Sequence, residues 1–238
     1  MKIAMLGYGK MGKKIEQLAQ AAGHEFILKI DINNRHTLTP ENLRQADVAI
    51  EFSEPASAVE NIKLCINNGI PIVSGTTGWL DQYREITALC KKENGAFFYA
   101  SNYSIGVHLF RNINQQLAQL MDTQSDYQPQ LTEIHHTQKL DAPSGTAITL
   151  AEDMLSKIST KDKWINETTN DPSTLSILSE RVDQVPGTHR IDWKSAVDTI
   201  SLEHIAHSRE GFAKGALTAA TWIVGKKGIF GMKDMLGF

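Results

Sequence analysis

Residues 133–147 read Glu-Ile-His-His-Thr-Gln-Lys-Leu-Asp-Ala-Pro-Ser-Gly-Thr-Ala, with two adjacent histidines, a lysine and an aspartate ahead of a turn of small residues. A core segment would be more apolar, and an ordinary surface loop would not group acid–base side chains so tightly. If residues 130–136 form a strand, alternation puts Leu131, Glu133 and His135 on one face and Thr132, Ile134 and His136 on the other. The histidines then cannot act as one unit. Either the strand ends between them, or one is catalytic and the other is structural or touches substrate. Lys139 follows in a loop within reach of the same cavity. Ser144, Gly145 and Thr146 open the next helix, whose unpaired N–H groups can bind a carboxylate. An acid–base group, a cation and an anion cradle suit reduction of a small anionic substrate. No metal is expected: adjacent histidines point apart, and His189, His204 and the cysteines add no familiar zinc-ligand spacing. Neither Cys65 nor Cys90 lies beside a histidine or a glycine-rich turn, which argues against a cysteine nucleophile.

A second cluster stands at the N-terminus. Gly7-Tyr8-Gly9-Lys10-Met11-Gly12 is a G-x-G-x-x-G preceded by a short apolar run, residues 2–6. Ile15, Leu18, Ala19 and Ala22 then recur at helical spacing through residues 13–22, and Gly23 is placed to end that helix. A second strand, residues 25–30, leads to Asp31, which lies 31 − 12 = 19 positions after Gly12. Such an acid, about 20 residues on, holds an adenosine ribose in dinucleotide-binding units, while the glycines let backbone and helix N-terminus meet pyrophosphate. An acid here favours the free 2′-hydroxyl of NAD and repels the 2′-phosphate of NADP. Arg35 partly offsets that repulsion, so the expected cofactor is NAD or NADP, with NADH at least as good as NADPH.

The elements that must carry these groups alternate at first. Strands are expected at residues 46–52, 70–73 and 96–100, and helices from Pro55 to about residue 68 and over residues 81–92. Four loops fall at the carboxyl ends of strands, where an open parallel sheet binds its ligands. They are residues 7–12, Phe52-Ser53, Gly75-Thr76-Thr77 and Ala100-Ser101-Asn102-Tyr103. After Gly106 the pattern changes: a helix over residues 107–121, the strand 130–136, a helix over residues 146–158 and a polar, irregular stretch over 159–171. Strand-like runs at 175–181, 189–193 and 199–205 then follow without intervening helices, which predicts a mostly antiparallel sheet. An alanine-rich helix over residues 212–226 and a tail, 228–238, placed to fold back on the first domain complete the chain. The fold class is therefore α/β, a Rossmann-like parallel-sheet dinucleotide-binding domain (1–106, completed by 209–238) plus an α+β domain (107–208).

The bulk numbers agree. A chain of 238 residues, 41% hydrophobic and 21% charged, can bury real cores. A net charge of −3 argues against broad nucleic-acid affinity. Two cysteines in helix-like runs, and no signal or membrane segment, point to the cytoplasm.

Residues 133–147 closely resemble the signature of the dihydrodipicolinate reductase family, now called 4-hydroxy-tetrahydrodipicolinate reductases, of lysine and diaminopimelate biosynthesis. The resemblance extends to residues 7–12, Glu51-Phe52-Ser53, Gly75-Thr76-Thr77, residues 102–107, residues 204–209 and residues 212–216. It implies His135 as proton donor, Lys139 as the stabilising cation, His136 in substrate contact, and Gly145 and Thr146 on a substrate carboxylate. It implies cofactor contacts at residues 7–12, Asp31, Phe52, Gly75, Thr76, Thr77 and Ala100 to Tyr103, a small dicarboxylate substrate, and a homotetramer built by the second domain. Two departures stand out: Lys10 and Ile32 occupy positions where the family often has arginine, and both weaken an NADP preference. The alternatives are reduction of another small cyclic or keto acid, and a non-catalytic nucleotide-sensing module.

Overall fold

The first apolar run forms β1 (Lys2–Leu6), buried from its second residue onward. In this computed structural model, which describes residues 1–238, β1 is followed by α1 (Lys10–Ala21), β2 (Glu25–Ile30), α2 (Pro40–Leu43), β3 (Val48–Glu51), α3 (Pro55–Asn67), β4 (Ile72–Ser74), α4 (Tyr83–Lys92) and β5 (Ala96–Tyr99). Next come α5 (Ile105–Met121), β6 (Gln128–His135), α6 (Gly145–Leu155), β7 (Lys163–Ile165), β8 (Thr174–Arg181), β9 (Thr188–Lys194) and β10 (Thr199–Ile205). The chain ends with α7 (Glu210–Ile223), β11 (Gly228–Phe230) and α8 (Met232–Leu236). Contacts divide it into two units, Met1–Ile105 with Glu210–Phe238, and Gly106–Arg209.

The first unit is a six-stranded parallel sheet in the order β11-β5-β4-β3-β1-β2. Both faces are covered, which is why its strands read as continuous apolar runs. Ile3 and Met5 join one core with Ile15 and Ala19 of α1 and Ala216 and Ala220 of α7. Ala4 and Leu6 join the other with Ile62 of α3 and Ile86 of α4. From β1 the chain moves to β2 on one side and β3 on the other, so the strand order reverses there. Such a switch point opens a crevice at the strands' carboxyl ends.

The second unit is a five-stranded sheet, β10-β9-β6-β8-β7. It has the expected antiparallel ribbon of β10, β9 and β6, and adds parallel pairings of β6 with β8 and β8 with β7. The mixed character follows from α6, a helical crossover that returns the chain to run alongside β6. One face packs on α5 and α6 through Leu131, Ile177, Ile191 and Trp193.

Several expected boundaries move. α1 starts at Lys10 rather than residue 13, so Gly12 lies inside the helix and only Gly7 to Gly9 form the turn. The expected strands 46–52 and 70–73 shift to Val48–Glu51 and Ile72–Ser74, because the ladder is set by the neighbouring strands and not by hydrophobicity. The stretch 159–171 is not wholly irregular, since it contains β7. That strand and α2 are too short to show a period. The expected strand 130–136 runs Gln128–His135 and so ends between the two histidines.

Candidate active site

Alternation along β6 buries Leu131, Glu133 and His135 on one face. Glu133 is fully buried, and its two oxygens collect most of the site. Oε2 lies 2.8 Å from His135 Nδ1. Oε1 accepts the Ser144 N–H at 3.2 Å and Arg181 Nη2 at 3.0 Å. Burial alone would raise the Glu133 carboxyl, but hydrogen bonds from His135, Ser144, Ser179 and Arg181 outweigh it and hold the group well below the usual carboxylate range. With Nδ1 on Glu133, His135 turns Nε2 toward Gly187. A methyl group built on Gly187 would stand 3.1 Å from that nitrogen, at a backbone φ of +153° that favours glycine.

His189, opposite Glu133 on β9, packs edge-on to His135 with ring centroids 5.2 Å apart. Burial, then the neighbouring charge of His135, brings it down to about 4, and Lys139 pushes the same way. Lys139 thus lies near enough to act on His189. Its Nζ donates to both oxygens of Asp141 at 2.8 Å, and Arg181 fastens the loop by donating to the carbonyls of Lys139 at 3.3 Å and Asp141 at 2.6 Å.

Ser144 caps α6: its Oγ accepts the Ala147 N–H at 3.2 Å and lies 3.3 Å from His189 Nε2. The next two residues, Gly145 and Thr146, begin the helix, where N–H groups have no partner one turn back. A Cβ at Gly145 would meet nothing within 4 Å, so the space before them is open. Because Ser144 N–H is tied to Glu133, the helix start and His135 are held by one carboxylate. His136 is elsewhere: outside the strand, it accepts from Arg209 Nη2 at 3.0 Å and lines a shallow cavity of about 330 Å³ with Gln138, Asp183 and Pro186.

In the first unit Gly7 has φ +100°, and a Cβ there would lie 2.0 Å from the Phe52 carbonyl oxygen. Its N–H and that of Tyr8 both donate to Ile30 O, at 2.9 and 2.8 Å. Gly9 caps α1 with nothing within 4 Å of its missing side chain, leaving the start of that helix, Lys10 and Met11, open above Gly9. Gly12 is required for contact instead, since a Cβ would lie 2.7 Å from Gly7 O. A cleft of about 470 Å³ runs along Gly7, Tyr8, Gly9, Asp31, Arg35 and Phe52. Asp31 accepts the Asn33 N–H at 2.7 Å, while Arg35 turns to Glu60 at 3.3 Å and to Asn61. Thr76 is buried with its hydroxyl on Glu51 at 2.8 Å, and Thr77 beside it is exposed. Beyond β5, Ala100 and Tyr103 are buried, Ser101 is exposed, and Asn102 Oδ1 accepts the Ser104 N–H at 2.8 Å.

Sequence reasoning missed Arg181 and Gly187, and considered His189 only as a zinc ligand, for which its spacing was unsuited. Strand alternation did put Glu133 beside His135, the one available signal. His189 needed the β6–β9 register, which no local pattern carries. Glu133, His135 and His189 bring potential ligand atoms within 4.8 Å of one another. The Glu133 oxygens are already engaged, and the Arg181 guanidinium would oppose a metal cation. Cys65 and Cys90 are buried, and burial pushes both thiols up, away from nucleophilic use. No helix is long and apolar enough to cross a membrane.

Two family models together cover most of the chain. The N-terminal model of dihydrodipicolinate reductase matches residues 1–103, and the C-terminal model matches residues 106–236. A 4-hydroxy-tetrahydrodipicolinate reductase of Christiangramia forsetii is 47% identical over 99% of this chain and 98% of its own. One from Methanoculleus marisnigri is 31% identical, over 100% and 99%. The fold matches a dipicolinate-bound dihydrodipicolinate reductase from Paenisporosarcina with a TM-score of 0.79, at 23% identity and 99% coverage of both chains. The chain belongs to the dihydrodipicolinate reductase family.

Proposed function

We propose that this protein is an NAD(P)H-dependent oxidoreductase that reduces 4-hydroxy-tetrahydrodipicolinate to tetrahydrodipicolinate in lysine and diaminopimelate biosynthesis, a net gain of one hydride and one proton with loss of the 4-hydroxyl as water. The observation that carries the reading is the buried Glu133–His135 pair, tied through one carboxylate to the open start of α6.

Residues 1–106 with 209–238 bind the dinucleotide, and residues 107–208 bind substrate. The first unit fits the cofactor: Gly9 leaves the start of α1 clear for pyrophosphate, and Asp31 sits on the cleft where a ribose belongs. Gly7 to Gly12, Phe52, Gly75 to Thr77 and Ala100 to Tyr103 complete its rim. When bound, the reduced nicotinamide supplies the hydride.

The chain's own residues do the rest. The N–H groups of Gly145 and Thr146 hold a substrate carboxylate, and His136 supplies a further contact. Glu133 fixes the His135 ring, Gly187 leaves Nε2 accessible, and His135 donates the proton that follows hydride delivery. Lys139 stabilises the negative charge that develops before that proton arrives. His189, kept neutral by burial, supports the His135 ring edge-on and the Ser144 hydroxyl.

The test follows NADH oxidation with substrate generated in situ from pyruvate and aspartate semialdehyde. Turnover above a His135→Ala, Lys139→Ala background is expected, and its absence overturns the proposal. The second unit also forms a homotetramer: its outermost strand β10 leaves Ile200 and Ile205 40% and 53% exposed. Light scattering on the eluting protein tests this, with a monomer as the contrary result. The compartment is the cytoplasm, in keeping with two free, buried cysteines; fractionation of cells checks it.

A further inference from the structure

Glu51 ends β3 and is fully buried, yet nothing in the proposed chemistry uses it. Its carboxylate collects four donors. The Ser53 N–H at 2.9 Å, the Thr76 hydroxyl at 2.8 Å and the Ser53 hydroxyl reach Oε1, and the Ser74 hydroxyl reaches Oε2 at 2.6 Å. No lysine or arginine is among its partners. A carboxylate taken out of water without a counter-cation is costly, so a leucine would serve the core better. What Glu51 does instead is join two loops, because Ser53 follows β3 while Ser74 and Thr76 close and follow β4.

The joint extends further along the rim. Gly75 passes so close to Phe52 that a Cβ would lie 2.2 Å from its ring. Tyr103, beyond β5, donates its hydroxyl to Ser74 O at 2.6 Å and places its ring 5.6 Å from Phe52. In a doubly wound sheet the adenosine half lies over β1 and β2, where Asp31 stands, which leaves the other half to the ends of β3, β4 and β5.

We propose that Glu51 is a positioning residue for the nicotinamide half of the dinucleotide, holding the β3 and β4 loops in the one arrangement that accepts it. This rests on the reading that the first unit binds NAD(P)H. Glu51 acts through the loops and touches no reacting atom.

The experiment titrates NADH by fluorescence into the full-length wild type, Glu51→Leu, Glu51→Gln and Ser74→Ala, with Tm and substrate KM recorded alongside. Glu51→Leu keeps the volume and strips all four acceptor contacts, so its Kd for NADH rises about 10-fold or more, the equivalent of one buried hydrogen bond. Substrate KM in the folded enzyme stays near the wild-type value. Glu51→Gln restores Kd to within about threefold, since its carbonyl takes the Ser53 and Thr76 donors and the Ser74 hydroxyl turns to accept. A merely structural role predicts a lower Tm with wild-type NADH affinity in folded Glu51→Leu, and that result overturns the proposal. If Glu51→Leu does not fold, Ser74→Ala decides. A Kd raised about threefold supports the proposal, being a single lost bond of modest net worth, and an unchanged Kd overturns it. A wild type that binds no NADH overturns the cofactor reading itself, a different outcome from any shift among variants.

Discussion

Each unit buries one glutamate completely at or near the end of a strand, and the two are satisfied in opposite ways. Glu133 in the second unit faces His135 and the Arg181 guanidinium. Glu51 in the first faces only hydroxyls and one backbone N–H. The difference matches what the proposed function asks of each unit. A proton-donating site needs a fixed charge to orient an imidazole and a cation to balance that charge. A cofactor rim needs adjustable donors that lock loops together without adding a strong local field. Hydroxyls can reverse their hydrogen bonds, but a guanidinium cannot accept.

This contrast can be broken by substitution. The largest effect falls on turnover: His135→Ala is expected to lower kcat about 10²- to 10⁴-fold while NADH affinity holds, as loss of a general acid should. Stopped-flow single turnovers with titrated NADH would check this, and equal loss of binding would blur the division of labour. Next, Glu133→Gln strips the partner charge from Arg181 and should cost about 3 kcal/mol of unfolding free energy, as breaking one side of a buried ion pair does. Glu51→Gln should cost less than about 1 kcal/mol, since a hydroxyl can re-pair. Urea unfolding midpoints of the two variants compare them directly, and equal losses would end the distinction.

Acid should act first on the second unit. His189 sits at about 4 against an ordinary 6.5, so the unfolded chain binds the extra proton between those values. Its contribution is fully present above pH 6.5 and is lost as pH falls toward 4, by at most about 3 kcal/mol. The depressed Glu133 carboxyl works in the same direction at still lower pH. Stability measured from pH 7 to 4 should slope less in His189→Gln than in the wild type. A smaller effect is expected at Gly187→Ala, whose methyl would crowd His135 Nε2 and lower kcat about 10-fold, comparable to the cost of modest overpacking. Smallest is Asp31→Ala, which removes the repulsion of a 2′-phosphate and should shift the NADPH-to-NADH ratio of kcat/KM upward about fivefold, the scale of one partly exposed charge. An unchanged ratio would mean that Asp31 does not read the ribose.

Much of the first unit was legible because parallel strands buried on both faces and helices with one apolar stripe leave strong local periods. The apolar run before Gly7, the helix after it and the acid at position 31 follow from neighbours in the chain. The start of α1 was misplaced because Gly12 resembles a turn residue, when it is there to let the helix touch Gly7 O. In the second unit, alternation along β6 separated His135 from His136 and aligned Glu133 with His135. It could not say that the strand would stop between the histidines.

The residue types at the two sites, the faces they occupy and the kinds of element that carry them could be read along the chain, because alternation, capping and turn chemistry act over a few residues. The convergence could not. Arg181 on Glu133, His189 against His135 and Thr76 on Glu51 depend on strand register and loop approach between segments 25 to 54 positions apart. Those contacts are chosen by packing and by the need to satisfy buried charge, which only the folded structure decides.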